Sequence, residues 1–429
     1  MTDVRQPFFS RDVPEPDDTG SELSVVTLEF AARYLRDDPP NADVVILESA
    51  DALGPYRVEI EELAAASADA NSQFEYVTLA AAMEHLRGGE GVRVAFVWSD
   101  ADENGRRILT GLVPYRVSLG FYGLPKPVWR VWRHIHSYVS TPVLRSGHER
   151  PALRRFLALA DMSGAAFVDF PLFHAGSAFA GALEDVAGRQ HRHVAETNAH
   201  ERAFLQSDLS EEAYLSTHIR KKKRKEFNRL WNRLGELGDL RFETHDGGVD
   251  PAAWISRFLS LEARGWKGRR GTALRADPGQ RAFFEKICLG AHARGKLHCT
   301  DLTLDGKPLA MLASFRSGAG VYTFKIAFDE DHSRYSPGAL LMLKAIGAFL
   351  EDERIAWVDS CAVPNHPMID QIWAQRRAMR SVLVSCASPF GAPSVRYAAA
   401  AMKFTESMRT KLRARYHAFR KGTAHDAAD

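Results

Sequence analysis

In the stretch SRYSPGALLMLKAIGAFL (Ser333 to Leu350) a polar turn runs straight into an apolar helix. Unpaired backbone N–H groups and the positive end of the helix dipole would point out of that start, an arrangement that can receive an anion. Ser336 suits the N-cap, Pro337 the first helical position, and Gly338 would let a phosphate come close to the backbone. The same opening also starts helices that bind nothing. A second chemical feature is IRKKKRKEF (Ile219 to Phe227), with six consecutive cations from Arg220 to Lys225. Such a run fits a nucleic acid, a membrane, an anion within an enzyme, or a solvated helix face. The four cysteines, Cys288, Cys299, Cys361 and Cys386, form no CxxC pair, so no zinc site and no dense disulfide framework is signalled.

The charge balance narrows these choices. A net charge of +2 over 429 residues speaks against a dedicated nucleic-acid binder, which carries a basic surplus across a whole domain. The charge is unevenly placed: residues 1–70 hold sixteen acids against five Lys or Arg, and residues 371–429 hold eleven Lys or Arg against three acids. An acidic leader and a basic tail can screen each other or face different partners. Residues 1–22 bury too little apolar surface to offset chain entropy and are expected to be mobile. No apolar run reaches membrane-spanning length and no secretory h-region is present, so the expectation is a cytoplasmic protein, with peripheral contact at the inner face of the membrane left open.

Two distant stretches echo each other. RRILTGLVPYR (Arg106 to Arg116) aligns with GKPLAMLASFR (Gly306 to Arg316), pairing Leu109 with Leu309, Leu112 with Leu312 and Arg116 with Arg316. FVDF (Phe167 to Phe170) and WVDS (Trp357 to Ser360) repeat at nearly the same offset. The echo implies two similar α/β halves. In the second half, Pro251 to Arg264 and Gln280 to Arg294 read as helices. LHCTDLTL and PLAMLASF read as a hairpin turning at Asp305-Gly306, and VYTFKIAF as a third strand. The fold class is therefore α/β (α+β), with mixed sheets flanked by helices.

LEARGWKGRRGTAL (Leu261 to Leu274), TLDGKPLAMLASF, FKIAFDEDHSRYSPGALL and WVDSCAVPNHPMIDQIW together resemble the GNAT-type acyltransferases associated with bacterial cellulose and exopolysaccharide synthesis, in a FemAB-like tandem arrangement. The resemblance runs over roughly residues 55–391 and is most specific over residues 261–373. It implies two tandem GNAT-like domains, a degenerate one over residues 23–205 and a catalytic one over 206–395, followed by a basic amphipathic helix and tail over 396–429. It also implies that VYTFKIAF carries the pantetheine arm of an acyl-CoA and that Ser336, Pro337, Gly338, Ala339 and Leu340 receive its diphosphate together with Arg334. The phosphate pattern [QR]xxGx[GA] is departed from at Pro337, since the glycine stands one residue later.

Such an enzyme must take a proton from an amine whose pKa is ~10 before attack on a thioester. Candidates are Asp329, Asp331 and His332 just past the donor strand, Asp359 at the end of the next strand, and Glu262 and His366 in the flanking motifs; Glu262 and Asp359 are favoured as the acid/base pair, with Lys325 orienting the donor or steadying the oxyanion. The tyrosine that often protonates the leaving thiolate is missing from NHPMIDQIWAQRR, and Tyr335 is the nearest substitute. Cys299 and Cys361 have His298 and His366 nearby, but direct transfer needs no nucleophile, and both read as small buried hydrophobes. No metal is expected, and the oligomeric state is open.

For the acceptor, PKPVWRVWRHIHSYV (Pro125 to Val139) mixes aromatics and cations as membrane interfaces do. Residues 401–420 set Ala401, Phe404, Met408, Leu412, Tyr416 and Phe419 on one helical face; such a helix can lie on anionic lipid, though packing on its own protein is the favoured reading. The expected acceptor is a long-chain amino alcohol, as in related ceramide-forming N-acyltransferases. The alternatives are an amino sugar of an exopolysaccharide and, from the FemAB-like arrangement, tRNA-dependent aminoacyl transfer. The basic run is expected on one helix over residues 218–234, with Ile219, Phe227, Leu230, Trp231 and Leu234 on its anchored face.

Overall fold

The computed structural model describes residues 43–245 and 248–425, with side chains to Leu412. The acidic leader lies outside the described residues. Among the described residues thirteen strands join in one sheet. They are β1 (Val44–Leu47), β2 (Arg93–Trp98), β3 (Leu109–Phe121), β4 (Leu124–Val131), β5 (Val143–Leu144), β6 (Phe167–His174), β7 (Val194–Leu205), β8 (Leu240–His245), β9 (Leu297–Leu304), β10 (Lys307–Ser317), β11 (Gly320–Phe328), β12 (Trp357–Asp359) and β13 (Gln375–Ser385). Their spatial order is β1-β2-β3-β4-β6-β13-β7-β12-β11-β10-β9-β8, with β5 set beside β3. Most neighbours are antiparallel; β4 with β6 and β11 with β12 run parallel.

The sequence echo has a structural basis. Strands β3 and β10 each form a hairpin with the strand that follows, and that second strand pairs in parallel with a strand reached through a helix. Asp169 and Asp359 occupy equivalent ladder positions, opposite Arg130 and Tyr322. The Asp305-Gly306 turn has positive φ at both residues (49° and 73°), as a two-residue hairpin of type I′ demands. The halves interleave: β13 lies between β6 and β7, and β7 borders β12.

The helices named below are α1 (Tyr76–His85), α2 (Glu149–Met162), α3 (Ala178–Arg189), α4 (Glu211–His218), α5 (Lys221–Gly235), α6 (Pro251–Arg264), α7 (Pro278–His292), α8 (Pro337–Glu351) and α9 (Gly391–His425). The Asp-Pro pairs at 250–251 and 277–278 open α6 and α7: each aspartate accepts backbone N–H bonds from the first turn, and each proline takes the first position, where its missing donor costs nothing. Helix α8 is apolar nearly all round and is buried against β9, β10 and β11. On the opposite face, Trp254 and Phe258 of α6 pack with Met311, Phe315, Tyr322 and Phe324. Helices α1 and α7 meet so closely that a Cβ on Gly290 would lie 2.4 Å from the Val77 side chain.

Two expected elements are corrected. The basic run does not share one helix with His218: α4 ends there, Ile219 is extended, and α5 begins at Lys221. Ile219 is still buried, and Phe227, Leu230 and Leu234 anchor the new helix. PKPVWRVWRHIHSYV is no membrane face. Trp129, Trp132 and Tyr138 are buried, because the stretch is β4 and the link that follows it, with Trp129 stacked on Tyr115.

Candidate active site

Strands β11 and β12 pair only from Gly320 to Tyr322, opposite Trp357 to Asp359. Beyond Asp359 strand β12 stops, while β11 continues to Phe328. The register of β11 against β10 also slips here, from Ala313–Lys325 to Ser314–Thr323, so that Phe324 is an extra, bulged residue. A bulge re-aims side chains and leaves backbone groups outside the ladder, and such devices gather at functional sites. The parting strands leave a cleft lined by Thr323, Lys325 and Ile326 on one side and Ser360 and Ala362 on the other, with Met342 of α8 and His366 closing it. At its throat the Thr323 hydroxyl donates to the Ser360 carbonyl at 2.7 Å.

Helix α8 starts at the far end of this cleft. Ser336 stands at the N-cap position in the left-handed region (φ 54°, ψ 52°), and its hydroxyl does not cap the helix. Pro337 is the first helical residue. Gly338 is buried, and a Cβ there would sit 3.5 Å from Phe328 and 3.6 Å from Ile326, an ordinary contact. Arg334 is exposed, with its guanidinium 4.7 Å from the ring centre of the buried Tyr335. Asp329 caps the turn Glu330–Tyr335, accepting from the Asp331 N–H at 3.0 Å and lying 3.2 Å from His332 Nδ1. Glu330 ties that turn to the Trp266 N–H and to Arg269. The basic helix α5, which begins at Lys221, packs against the same turn.

The expected acid/base residues fall into two places. Glu262 and Lys325 come together. The buried Glu262 carboxylate accepts from Lys267 Nζ at 2.8 Å and from the Leu274 N–H at 2.8 Å, and Lys267 also reaches the Ile326 carbonyl at 3.4 Å. Lys325, on the bulge and half-buried, has its ammonium pushed down to about 8, first by burial and then by the charge of Lys267. Asp359 stands apart at the closed end of the cleft. It is fully buried and bonded to Arg202 at 2.7 Å, to Arg377 at 3.1 Å and to the Cys361 N–H at 2.9 Å. Burial works to raise its pKa, but the two guanidinium groups outweigh it and hold the carboxyl below its ordinary value. Arg377 is itself sandwiched between the Phe204 and Trp357 rings, 4.0 and 4.1 Å from their centres.

Four further residues complete the site. Lys267, Arg202 and Arg377 fix the carboxylates. His136, from the link after β4, stacks on Phe283 at 5.6 Å and meets Phe324 edge-on at 5.9 Å. Burial, with Lys325 and His134 nearby, pushes His136 well below its ordinary pKa, so the ring is neutral. The HIH triplet at 134–136 was a signal in the sequence, obscured by its aromatic and cationic neighbours. Cys361 is half-buried with its thiol pushed well up by burial and by Asp359, which makes it a poor nucleophile. His366 caps a turn, its Nδ1 accepting from the Met368 and Ile369 N–H groups at 3.3 Å each.

Residues 221–365 match the sequence model of the acetyltransferase (GNAT) domain family. Among solved structures the chain is similar to a protein of unknown function from Bacteroides thetaiotaomicron, at 14% identity over 77% of this chain and 97% of that one, with TM-score 0.50. It is similar also to the C-terminal domain of a putative lysylphosphatidylglycerol synthetase from Agrobacterium fabrum, at 14% identity over 83% and 96%, TM-score 0.50. FemX matches at 11% identity over 76% and 95%, TM-score 0.50. At these identities the likeness is one of fold. No curated protein matches the sequence. The fold is a GNAT-like mixed sheet flanked by helices, and the domain match supports an acyltransferase.

Proposed function

We propose that the chain is an acyl-CoA-dependent N-acyltransferase whose reaction runs in the cleft between β11 and β12. The observation that carries this reading is the parting of the parallel pair beside the Phe324 bulge, with the start of α8 at the far end. Backbone amides of β11 beyond Tyr322 are not taken up by β12, so a pantetheine arm can pair with them, and the diphosphate then falls toward Gly338 and Ala339. Arg334 and the cations of α5 flank that end. The division into a first unit over residues 23–205 and a catalytic unit over 206–395 belongs to this reading, with the exchange of β7 and β13 joining the two.

In the transfer, the amine nitrogen attacks the thioester carbonyl, and an N–H of the bulged β11 segment faces the oxygen on which charge develops. Neutral Lys325 takes the proton that the nitrogen sheds. As the C–S bond breaks, the same proton passes to the sulfur, which leaves as the thiol. Glu262 keeps Lys267 charged and in place, and Lys267 in turn favours the neutral form of Lys325. Asp359, locked between two arginines, serves as a fixed counter-charge, and Asp329 holds the turn ahead of α8.

The acceptor in this reading is a long-chain amine presented at a membrane, such as a sphingoid base. Support comes from the apolar residues that α9 leaves exposed, including Phe404 and Leu412. The test is incubation of purified protein with acyl-CoAs of several chain lengths and with long-chain amino alcohols or amino sugars, following free CoA and product mass, with and without RNase. Amide formation on the long-chain amine supports the proposal. Thioester that stays intact with every acceptor overturns the acyl-CoA reading; product on amino sugars alone overturns the lipid acceptor.

A further inference from the structure

Helix α9 contains 35 residues and is therefore roughly 50 Å long, and its side chains are described as far as Leu412. Its first turns are held: Val395, Ala398 and Ala399 are buried with Phe167 and Leu383. Past Met402 the described side chains turn to solvent, and the apolar ones do so in a line. Phe404 is 68% exposed, Met408 41% and Leu412 58%, four residues apart, and Tyr397, 50% exposed, lies on the same face seven residues earlier. The surface continues onto the body of the protein. The Tyr397 hydroxyl donates to the Tyr122 carbonyl at 2.9 Å; Tyr122, in the β3–β4 turn, and Leu119, near the end of β3, are both exposed.

A soluble surface seldom lines up so many large apolar groups without a use for them. The charge around the stripe says what it meets. Residues 396–425 contain eight Lys or Arg against the single acid Glu406. Lys403 and Lys411 are exposed beside Phe404 and Leu412, and Lys126 lies 4.6 Å from the ring centre of the exposed Phe390 at the foot of the helix. An apolar line flanked by cations and joined by aromatic side chains at one end matches the headgroup zone of an anionic bilayer. A protein partner of acidic character would not call for the long apolar line, and no described helix is able to cross a membrane.

We infer that α9 and the β3–β4 turn form a docking surface for anionic lipid, which seats the protein on the membrane with its helix lying in the interface. The surface deepens the reading of a lipid-borne acceptor and rests on it only for its purpose. Over residues 401–412 it departs from the expectation that this stretch packs on its own protein; residues 413–420 of that expectation lie outside the described side chains. It also relocates the membrane contact from Trp129 and Trp132 to a neighbouring part of the fold.

The test is cosedimentation of the full chain with vesicles of phosphatidylcholine alone and of phosphatidylcholine with phosphatidylglycerol, at low and high salt. The parent is compared with a Phe404→Ser/Met408→Ser/Leu412→Ser variant and a Lys403→Glu/Lys411→Glu variant. Thermal melts check folding, and sedimentation velocity reports oligomeric state. Expected is binding to the anionic vesicles alone, weakened by salt, with the apolar variant lowering affinity by roughly tenfold or more and the charge variant by a smaller factor. Melting and turnover of a soluble amine stay as in the parent. Absence of binding to anionic vesicles overturns the proposal. So does binding unaffected by the apolar variant, or a dimer that dissociates in that variant without any lipid binding. Vesicle binding without thioester turnover on any amine would leave the docking surface standing and remove the proposed reaction; the reverse result would do the opposite.

Discussion

Arg202 of β7 and Asp359 of β12 meet at 2.7 Å where both side chains are closed off from water, and they come from halves of the chain that are 157 residues apart. Removing one member of a buried pair strands the other. Asp359→Asn is therefore expected to destabilise the fold by about 3–5 kcal/mol, read from denaturant unfolding. Because the folded-state pKa of Asp359 is depressed, its contribution is complete above the unfolded value of ~3.9 and is lost as pH falls through the folded value. The parent should thus lose more stability in acid than the Asn variant does. Equal acid sensitivity would show that the pair contributes nothing.

Lys325 sets the second prediction. With its ammonium pushed down to about 8, log kcat/KM should climb with pH and level off near 8. A limb set by the acceptor amine itself would lie near ~10. Lys325→Met should lower kcat by roughly 100-fold or more and abolish the limb near 8. A variant that keeps this limb excludes Lys325 as the proton carrier.

At the start of α8, the added methyls of Gly338→Val would project into the space between α8, Ile326 and Phe328. A Cβ alone makes ordinary contacts there, so Gly338→Ala should keep the fold and serves as the reference, whereas the methyls of valine reach past that Cβ. The expected result is a KM for acyl-CoA that is raised in the Val variant relative to the Ala variant. Unchanged KM would remove this turn from donor binding.

Reversing the charge of Lys221, Lys222 and Lys225 to Glu tests the basic helix. All three are exposed, so stability should change by no more than ~0.5 kcal/mol per site. Donor affinity should fall, most strongly at low salt, because α5 adjoins the turn that precedes the proposed phosphate site. If liposome binding falls and donor affinity does not, the run serves the lipid instead.

The second half was the more legible part of the sequence because its signals are local. Asp-Pro helix openers, an Asp-Gly hairpin and an apolar helix behind Ser336-Pro337 are each decided by a few adjacent residues. The echo between Leu109 and Leu309 likewise marked equivalent strands. Long-range facts were not legible. Nothing near Asp359 in the sequence announces Arg202 or Arg377, and it is these partners that hold its carboxyl below the ordinary value. Trp129 and Trp132 misled because aromatic and basic residues alternate both at interfaces and on a strand with one buried face. Periodicity put Phe404, Met408 and Leu412 on one side of a helix without saying whether anything covers that side.

The place of β13 has a consequence for how the chain is made. Residues 375–385 fill the gap between β6 and β7, so those two strands keep bare edges toward each other until residue 385 has left the ribosome. Pairing across two hundred residues is slow, and the waiting edges invite association in the meantime. Shortened chains that stop before Gln375 should accumulate as aggregates rather than as a folded first half.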